Sequence, residues 1–297
     1  MVIGLICIVL ASVTFGISPV FSTEIMASGV DAQSMLFFSK LISLIAAGIV
    51  LLIRRENIRV TKKQLFQIVV FLGGGELLTM LMLVNSYRFL PIGLASMFHF
   101  IYPVFVTVAM IIFFKEKLTV LKIIAIVLAL GGLALIIDLS GSMSFLGIVL
   151  ALTSGLFYSM YVIANRKSVC KDLPMLVIVF YTTTTNFVCL SLYHLVAGTL
   201  VFPSSIRVVL LISANGLLCG LLGLLLLISA IRRIGASNAA ICNMLEPLTA
   251  LIAGAVIYSD RITLIALCGC ILILLSITAI ALGEKGLRLP KRTFAGK

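Results

Sequence analysis

Lys40, Glu76, His99 and Glu246 are ionisable residues set inside long apolar stretches of a 297-residue chain. A charge held in hydrocarbon costs several kcal/mol unless it faces a cavity or a partner, so each marks a candidate site for a substrate, an ion or a proton. A Lys40–Glu76 pair would lower the cost of both charges, and this structural role and a substrate role stand equally open. A carboxyl that passes between dry and wet surroundings can exchange a proton, which makes Glu76 and Glu246 alternative coupling groups. Glu76 follows Gly73-Gly74-Gly75, where backbone and cavity can come close. Pro103 and Pro247 each free the carbonyl four residues earlier, at His99 and Asn243, so both offer an unpaired acceptor and a polar side chain one turn from a kink. A kink used only for packing is the plainer reading of the same two prolines. Asn243 and Glu246, three apart, share a helix face. Tyr102 precedes Pro103, and with Phe15, Phe98 and Tyr158 it could line an adaptable apolar pocket.

The elements that must hold these residues are membrane helices. Hydrophobic residues make up 62% of the chain and charged residues only 11%, too few to cover a soluble domain. Near-spanning apolar stretches fall at 2–21, 33–53, 65–85, 93–113, 120–138, 145–164, 176–197, 208–229, 237–257 and 263–283. The fold class is therefore all-α integral membrane, with ten transmembrane helices. At about 1.5 Å per residue, Glu76 and Glu246 lie about 16 and 14 Å into their helices, near the midplane, with Lys40 and His99 about 10 Å below the outer face. The N-terminal stretch lacks a basic leader and is longer than a signal-peptide core, so it reads as the first span. Seven cysteines, none in a C-x-x-C pair, read as small buried hydrophobes, and Gly216, Gly220 and Gly223, with Ala125 and Ala129, as close helix contacts.

Lys and Arg alternate sharply between loops. One set (54–64, 114–122, 165–175, 230–236, 284–297) holds 18 of them and the other (22–32, 86–92, 139–144, 198–207, 258–262) holds 3, which predicts cytoplasmic N and C termini. A missed helix would scramble this bias, so the parity supports the count. The net charge of +12 thus belongs to loops and to a basic tail lying on anionic lipid, not to a nucleic-acid footprint.

Sliding the chain by 142 to 144 residues places Ile92-Gly93-Leu94-Ala95 on Ile234-Gly235-Ala236-Ser237 and Tyr102-Pro103 on Glu246-Pro247. Lys115-Glu116-Lys117-Leu118-Thr119 then falls on Ser259-Asp260-Arg261-Ile262-Thr263, and Phe15 and Phe38 fall on Phe157 and Phe180. Each half holds five helices, and because five is odd the second half lies inverted relative to the first. Residues 1–140 form the first repeat, 145–284 the second and 285–297 the basic tail. Inverted repeats are an architecture of alternating-access transporters, with substrate bound between the halves near the midplane.

On these features the chain resembles the EamA-like branch of the drug/metabolite transporter superfamily: two five-helix halves, the stretch from Ala95 to Glu116 with Pro103, and Leu245-Glu246-Pro247. Phe15 and Lys40 stand where that family often carries a Trp and an Arg, and this chain has no Trp. The resemblance implies a central cavity lined by the first four helices of each half, the fifth being peripheral, and export or exchange of small metabolites.

The expected function is secondary transport of a small metabolite such as an amino acid or organic amine, with proton coupling open. The substrate-binding candidates are Lys40, Glu76, His99, Tyr102, Asn243 and Glu246, with Pro103 and Pro247 as kinks. No catalytic or metal site and no cofactor is expected: the chain lacks a G-x-x-x-x-G-K-[ST] phosphate loop, G-x-S-x-G and H-E-x-x-H. A lipid scramblase or receptor, or less favourably an intramembrane enzyme, is the alternative. The implied partners are a small-molecule substrate and membrane lipids, with no nucleic acid and a homodimer left open. The location is the plasma membrane.

Overall fold

Apolar chain in a bilayer must satisfy its backbone internally, and the chain does so with helices. The computed structural model describes residues 2–90, 92–136, 144–258 and 263–286, and every regular element among them is helical. The first half contains α1 (Val2–Ala27), α2 (Ala32–Arg54), α3 (Lys62–Ser86), α4 (Ile92–His99), α5 (Tyr102–Phe114) and α6 (Val120–Ile136). The second contains α7 (Phe145–Lys167), α8 (Met175–Ala197), α9 (Ile206–Ile234), α10 (Ala236–Cys242), α11 (Leu245–Tyr258) and α12 (Leu264–Gly286). Among the described residues, eight segments are long and apolar enough to cross a membrane, with α4–α5 and α10–α11 each contributing one; the apolar stretches Val120–Ile136 and Leu264–Ile280 are shorter.

Polar residues punctuate the apolar runs. Asp31 caps α2, accepting a hydrogen bond from the Ser34 backbone N–H at 2.9 Å, and Thr61 and Gln64 form a reciprocal capping box at the start of α3. Helices α2 and α5 end on left-handed Arg55 and Lys115, each of whose backbone N–H closes the last turn.

Several boundaries depart from the sequence reading. Helix α1 runs on to Ala27 instead of stopping near 21, and α9 runs to Ile234 through a stretch expected to be a loop. Next to Pro103 and Pro247 the helix is interrupted by a two-residue turn, at 100–101 and 243–244, in which Ile101 and Asn243 keep right-handed helical backbone angles, so each span continues through the turn. Helices α3 and α9 each contain a π-helical stretch, Ile68–Gly73 and Gly216–Gly223, which no period-3.6 reading foresees. Cys170, Cys242 and Cys270 are buried, but Cys189 and Cys268 lie exposed on outward helix faces, so not all seven are core residues. The loop Ser140-Gly141-Ser142, the segment Ser259 to Ile262 and the tail beyond Gly286 lie outside the described residues.

The two halves are built into each other. Gly4 of α1 packs on Arg233 and Ile234 at the end of α9, while Gly147 of α7 packs on Phe89 and Leu90 just after α3. These pairs are equivalent under the repeat offset, so the first helix of each half sits among the third and fourth elements of the other. Helices α6 and α12 meet in the same reciprocal way. A Cβ added at Gly132 would stand 2.5 Å from the Gly269 carbonyl oxygen, and one at Gly269 would stand 2.5 Å from that of Gly132. The largest buried cluster draws on both halves, joining Ile8 and Ala11 to Leu72, Val106, Tyr161, Ile228 and Ala239.

Candidate functional site

Two polar clusters lie within the apolar body. The first is enclosed. Lys40 of α2 and Glu76 of α3 are 2% and 3% exposed, and Lys40 Nζ meets Glu76 Oε1 at 2.5 Å. Glu76 enters this position because Gly75 beside it lets α3 close on Phe157, Met160 and Tyr161 of α7. The second carboxylate oxygen accepts a 2.8 Å hydrogen bond from Asn186 Nδ2 of α8. Both charges are thus neutralised by one another and by an amide, as burial in a low-dielectric interior requires. Asn186, which sequence reasoning did not select, lies one turn from Thr182 and Thr183 on the same face of α8. The signal was available: a polar run, Thr182 to Asn186, inside an apolar stretch.

The second cluster forms where the fourth helix of each half is broken. Helix α4 ends at His99 and α5 begins at Tyr102; α10 ends at Cys242 and α11 begins at Leu245. Pro103 leaves the His99 carbonyl without its helical partner, and that oxygen packs against Gly155 of α7, where a Cβ would stand 2.7 Å away. The Asn243 carbonyl instead accepts the Glu246 backbone N–H at 2.9 Å. The polar side chains at the breaks are held by the first helix of the opposite half: His99 Nδ1 lies 2.9 Å from Ser154 Oγ of α7, and Ser12 Oγ of α1 donates to Asn243 Oδ1 at 3.0 Å.

Asn243 Nδ2 in turn donates to Glu246 Oε2 at 3.1 Å. Glu246 stands in the first turn of α11, where the helix dipole favours negative charge. It is half-buried, and no Lys or Arg pairs with it among the described residues. Its repeat equivalent in the first turn of α5 is Tyr102, which is fully buried and donates to the Ala240 carbonyl at 3.2 Å. The rings of Tyr102 and Tyr158 meet edge to face at 4.6 Å, and His99 lies 5.5 Å from Tyr158. Tyr87, Tyr102 and Tyr158 are within electrostatic reach of Glu246, and Tyr158 is also within reach of Glu76, so it stands between the clusters.

Lys40 and Glu76 thus come together with Asn186, whereas His99, Tyr102, Asn243 and Glu246 gather at the two breaks. His194 of α8 was passed over by the sequence reading: it is buried beside Phe37 and Tyr193, both ring nitrogens lacking a hydrogen-bond partner among the described residues. The two cavities described, of about 620 and 420 Å3, lie away from both carboxylates, at the end of the molecule that carries Lys117 and Lys167.

A search of curated proteins gives no match. Among solved structures, one titled only "Crystal structure of protein" is similar over 94% of this chain and 98% of its own, with a TM-score of 0.82 at 14% identity, a likeness of fold. The model of the EamA-like transporter family matches residues 2–138 and again 145–282, nearly the whole chain in two copies. With both halves matched, the chain belongs to the EamA-like transporter family, a family of membrane transporters and not of enzymes.

Proposed function

We propose that the protein is a secondary transporter of a small amine-bearing metabolite, such as an organic amine or amino acid, and that Glu246 is its cation-binding group. The observation that carries this reading is the half-buried Glu246 carboxylate, held beside a helix turn by Asn243, without a Lys or Arg partner among the described residues and within electrostatic reach of three tyrosines. A carboxylate without a basic partner suits an ammonium group, which gains charge pairing and a charge-assisted hydrogen bond there. A proton can occupy the same carboxyl between substrates, which would couple amine efflux to proton entry.

The full reading has ten transmembrane helices in two inverted five-helix halves, both termini cytoplasmic in the plasma membrane. Reciprocal packing of Gly4 and Gly147 on the opposite halves, and the contrast of five basic residues at 54–64 with one at 198–207, support it. Alternating access then moves the half-helices α5 and α11 against α7 and α1.

Purified protein in liposomes tests this with a panel of radiolabelled amines and amino acids, with and without an imposed proton gradient. Amine flux that accelerates with the gradient and vanishes in Glu246→Gln is expected. Flux of neutral or anionic solutes alone, or full flux in Glu246→Gln, would refute the assignment.

A further inference from the structure

The two cavities lie side by side and differ in chemistry. The larger, of about 620 Å3, is a crevice between α3, α5 and α7 walled by Phe71, Phe113, Leu156, Phe157, Met160 and Ile163. Phe113 and Leu156 are exposed at its mouth, where the molecule faces hydrocarbon, so the crevice opens sideways into the bilayer. The smaller, of about 420 Å3, is bounded by the α5–α6 connection, the end of α7 and the start of α10, and it is basic: Lys117, Lys122, Arg166 and Lys167 line it against one carboxylate, Glu116. Glu116 is already engaged, ion-paired with Lys122 and accepting from Ser237 Oγ at 3.1 Å. Lys117, Arg166 and Lys167 remain without a carboxylate partner among the described residues.

Phe114 and Lys167 belong to the walls of both cavities, and Lys167 Nζ sits over the Phe114 ring at 4.9 Å. The pair therefore forms the boundary at which an apolar slot becomes a cationic recess. We propose that this composite site holds one anionic phospholipid, its headgroup in the basic recess and an acyl chain in the crevice. Each cavity falls within the roughly 300–1,000 Å3 range of small-ligand sites, and the apolar-to-basic order matches the order of chain and headgroup from bilayer interior to surface. The site lies at the end where the basic loops gather, the end expected to face the anionic cytoplasmic leaflet, and basic recesses between membrane helices are suited to such headgroups. The α5–α6 connection and the start of α10 both contribute to the recess, so a lipid there would brace the junction between the halves that Glu116 and Ser237 already bridge.

Native mass spectrometry of the full chain in detergent, titrated with phosphatidylglycerol, phosphatidylcholine or soluble glycerol phosphate, tests the proposal. Preferential retention of one phosphatidylglycerol is expected, with affinity falling about fivefold for each of Lys117→Gln and Lys167→Gln. Leu156→Trp, which narrows the crevice from its exposed mouth without touching the recess, should weaken the lipid while leaving thermal stability in lipid-free detergent unchanged. Equal binding of the two lipids, or unchanged binding in Leu156→Trp, would overturn the composite site. Glycerol phosphate binding as tightly as the lipid would reduce it to an anion site, and labelled phosphatidylglycerol flipping in liposomes would make the lipid cargo instead of a resident; either outcome overturns the proposal.

Discussion

Glu76 and Glu246 are the same residue type, each deep in an apolar helix, yet their surroundings differ. Glu76 sits on the unbroken α-helical part of α3, fully enclosed, with Lys40 on one oxygen and Asn186 on the other. Glu246 sits at the start of a half-helix, half-buried, with the Asn243 amide as its partner and, among the described residues, no cation. Glu76 has its counter-charge within the protein, through contacts that join α2, α3 and α8. A charge without one is free to take its counter-charge from outside, which is what a binding site requires. The difference lies in backbone continuity as much as in side chains, since the break before Leu245 exposes a helix N-terminus that the intact α3 never offers at Glu76.

The largest effect expected from breaking this contrast is on stability. Glu76→Gln leaves the Lys40 ammonium buried without a charge and should destabilise the protein by about 3–5 kcal/mol, whereas Glu246→Gln, which strands no cation and can still accept from Asn243, should cost about 1 kcal/mol or less. Thermal unfolding in detergent measures both. The double variant Lys40→Met/Glu76→Gln should recover most of the loss, because removing both charges removes the desolvation cost as well. Equal destabilisation by the two glutamine variants would mean that Glu246 has a charged partner of its own.

The next effect is on ligand. Losing a charge-assisted contact worth about 1.5–3 kcal/mol should weaken an amine by roughly 10- to 100-fold in Glu246→Gln. Among variants of the first cluster, Asn186→Ala keeps the Lys40–Glu76 pair and should leave amine affinity within about twofold, because its contact lies inside a neutral cluster. Competition binding with a labelled amine would read both, and a matching loss in Asn186→Ala would merge the two clusters into one site.

Much of this was legible in the sequence. Apolar run length located the helices, and the 142–144 residue offset pointed to the two copies that the family model matches, because hydrophobic burial and the repeat act on whole segments. The ionisable residues were visible for the same reason, as charges stand out in hydrocarbon. What could not be read was the partner at Glu76: Asn186 is 110 positions away and reaches it only because α8 packs beside α3. The π-helical stretches were equally hidden, since one extra residue per turn leaves the apolar composition unchanged. The proline positions signalled a disturbance, but whether a helix bends or breaks depends on what its neighbour accepts, and Gly155 accepts the His99 carbonyl where a larger residue would not.

The smallest expected effect separates the two breaks from each other. Ser12 donates to Asn243 Oδ1 and so turns the Asn243 amide toward Glu246; Ser154 holds His99 in the equivalent place but leads to no carboxylate. Each serine hydroxyl contributes about 1 kcal/mol through its hydrogen bond, so Ser12→Ala and Ser154→Ala should cost similar stability. Only Ser12→Ala should also reduce amine affinity, by about two- to fivefold, because an amide free to rotate orients the carboxylate less well. Isothermal titration of both variants with the same amine decides the point. An equal loss in the two would show that the halves contribute alike to binding, and the asymmetry between Glu246 and its counterpart Tyr102 would then carry no functional weight.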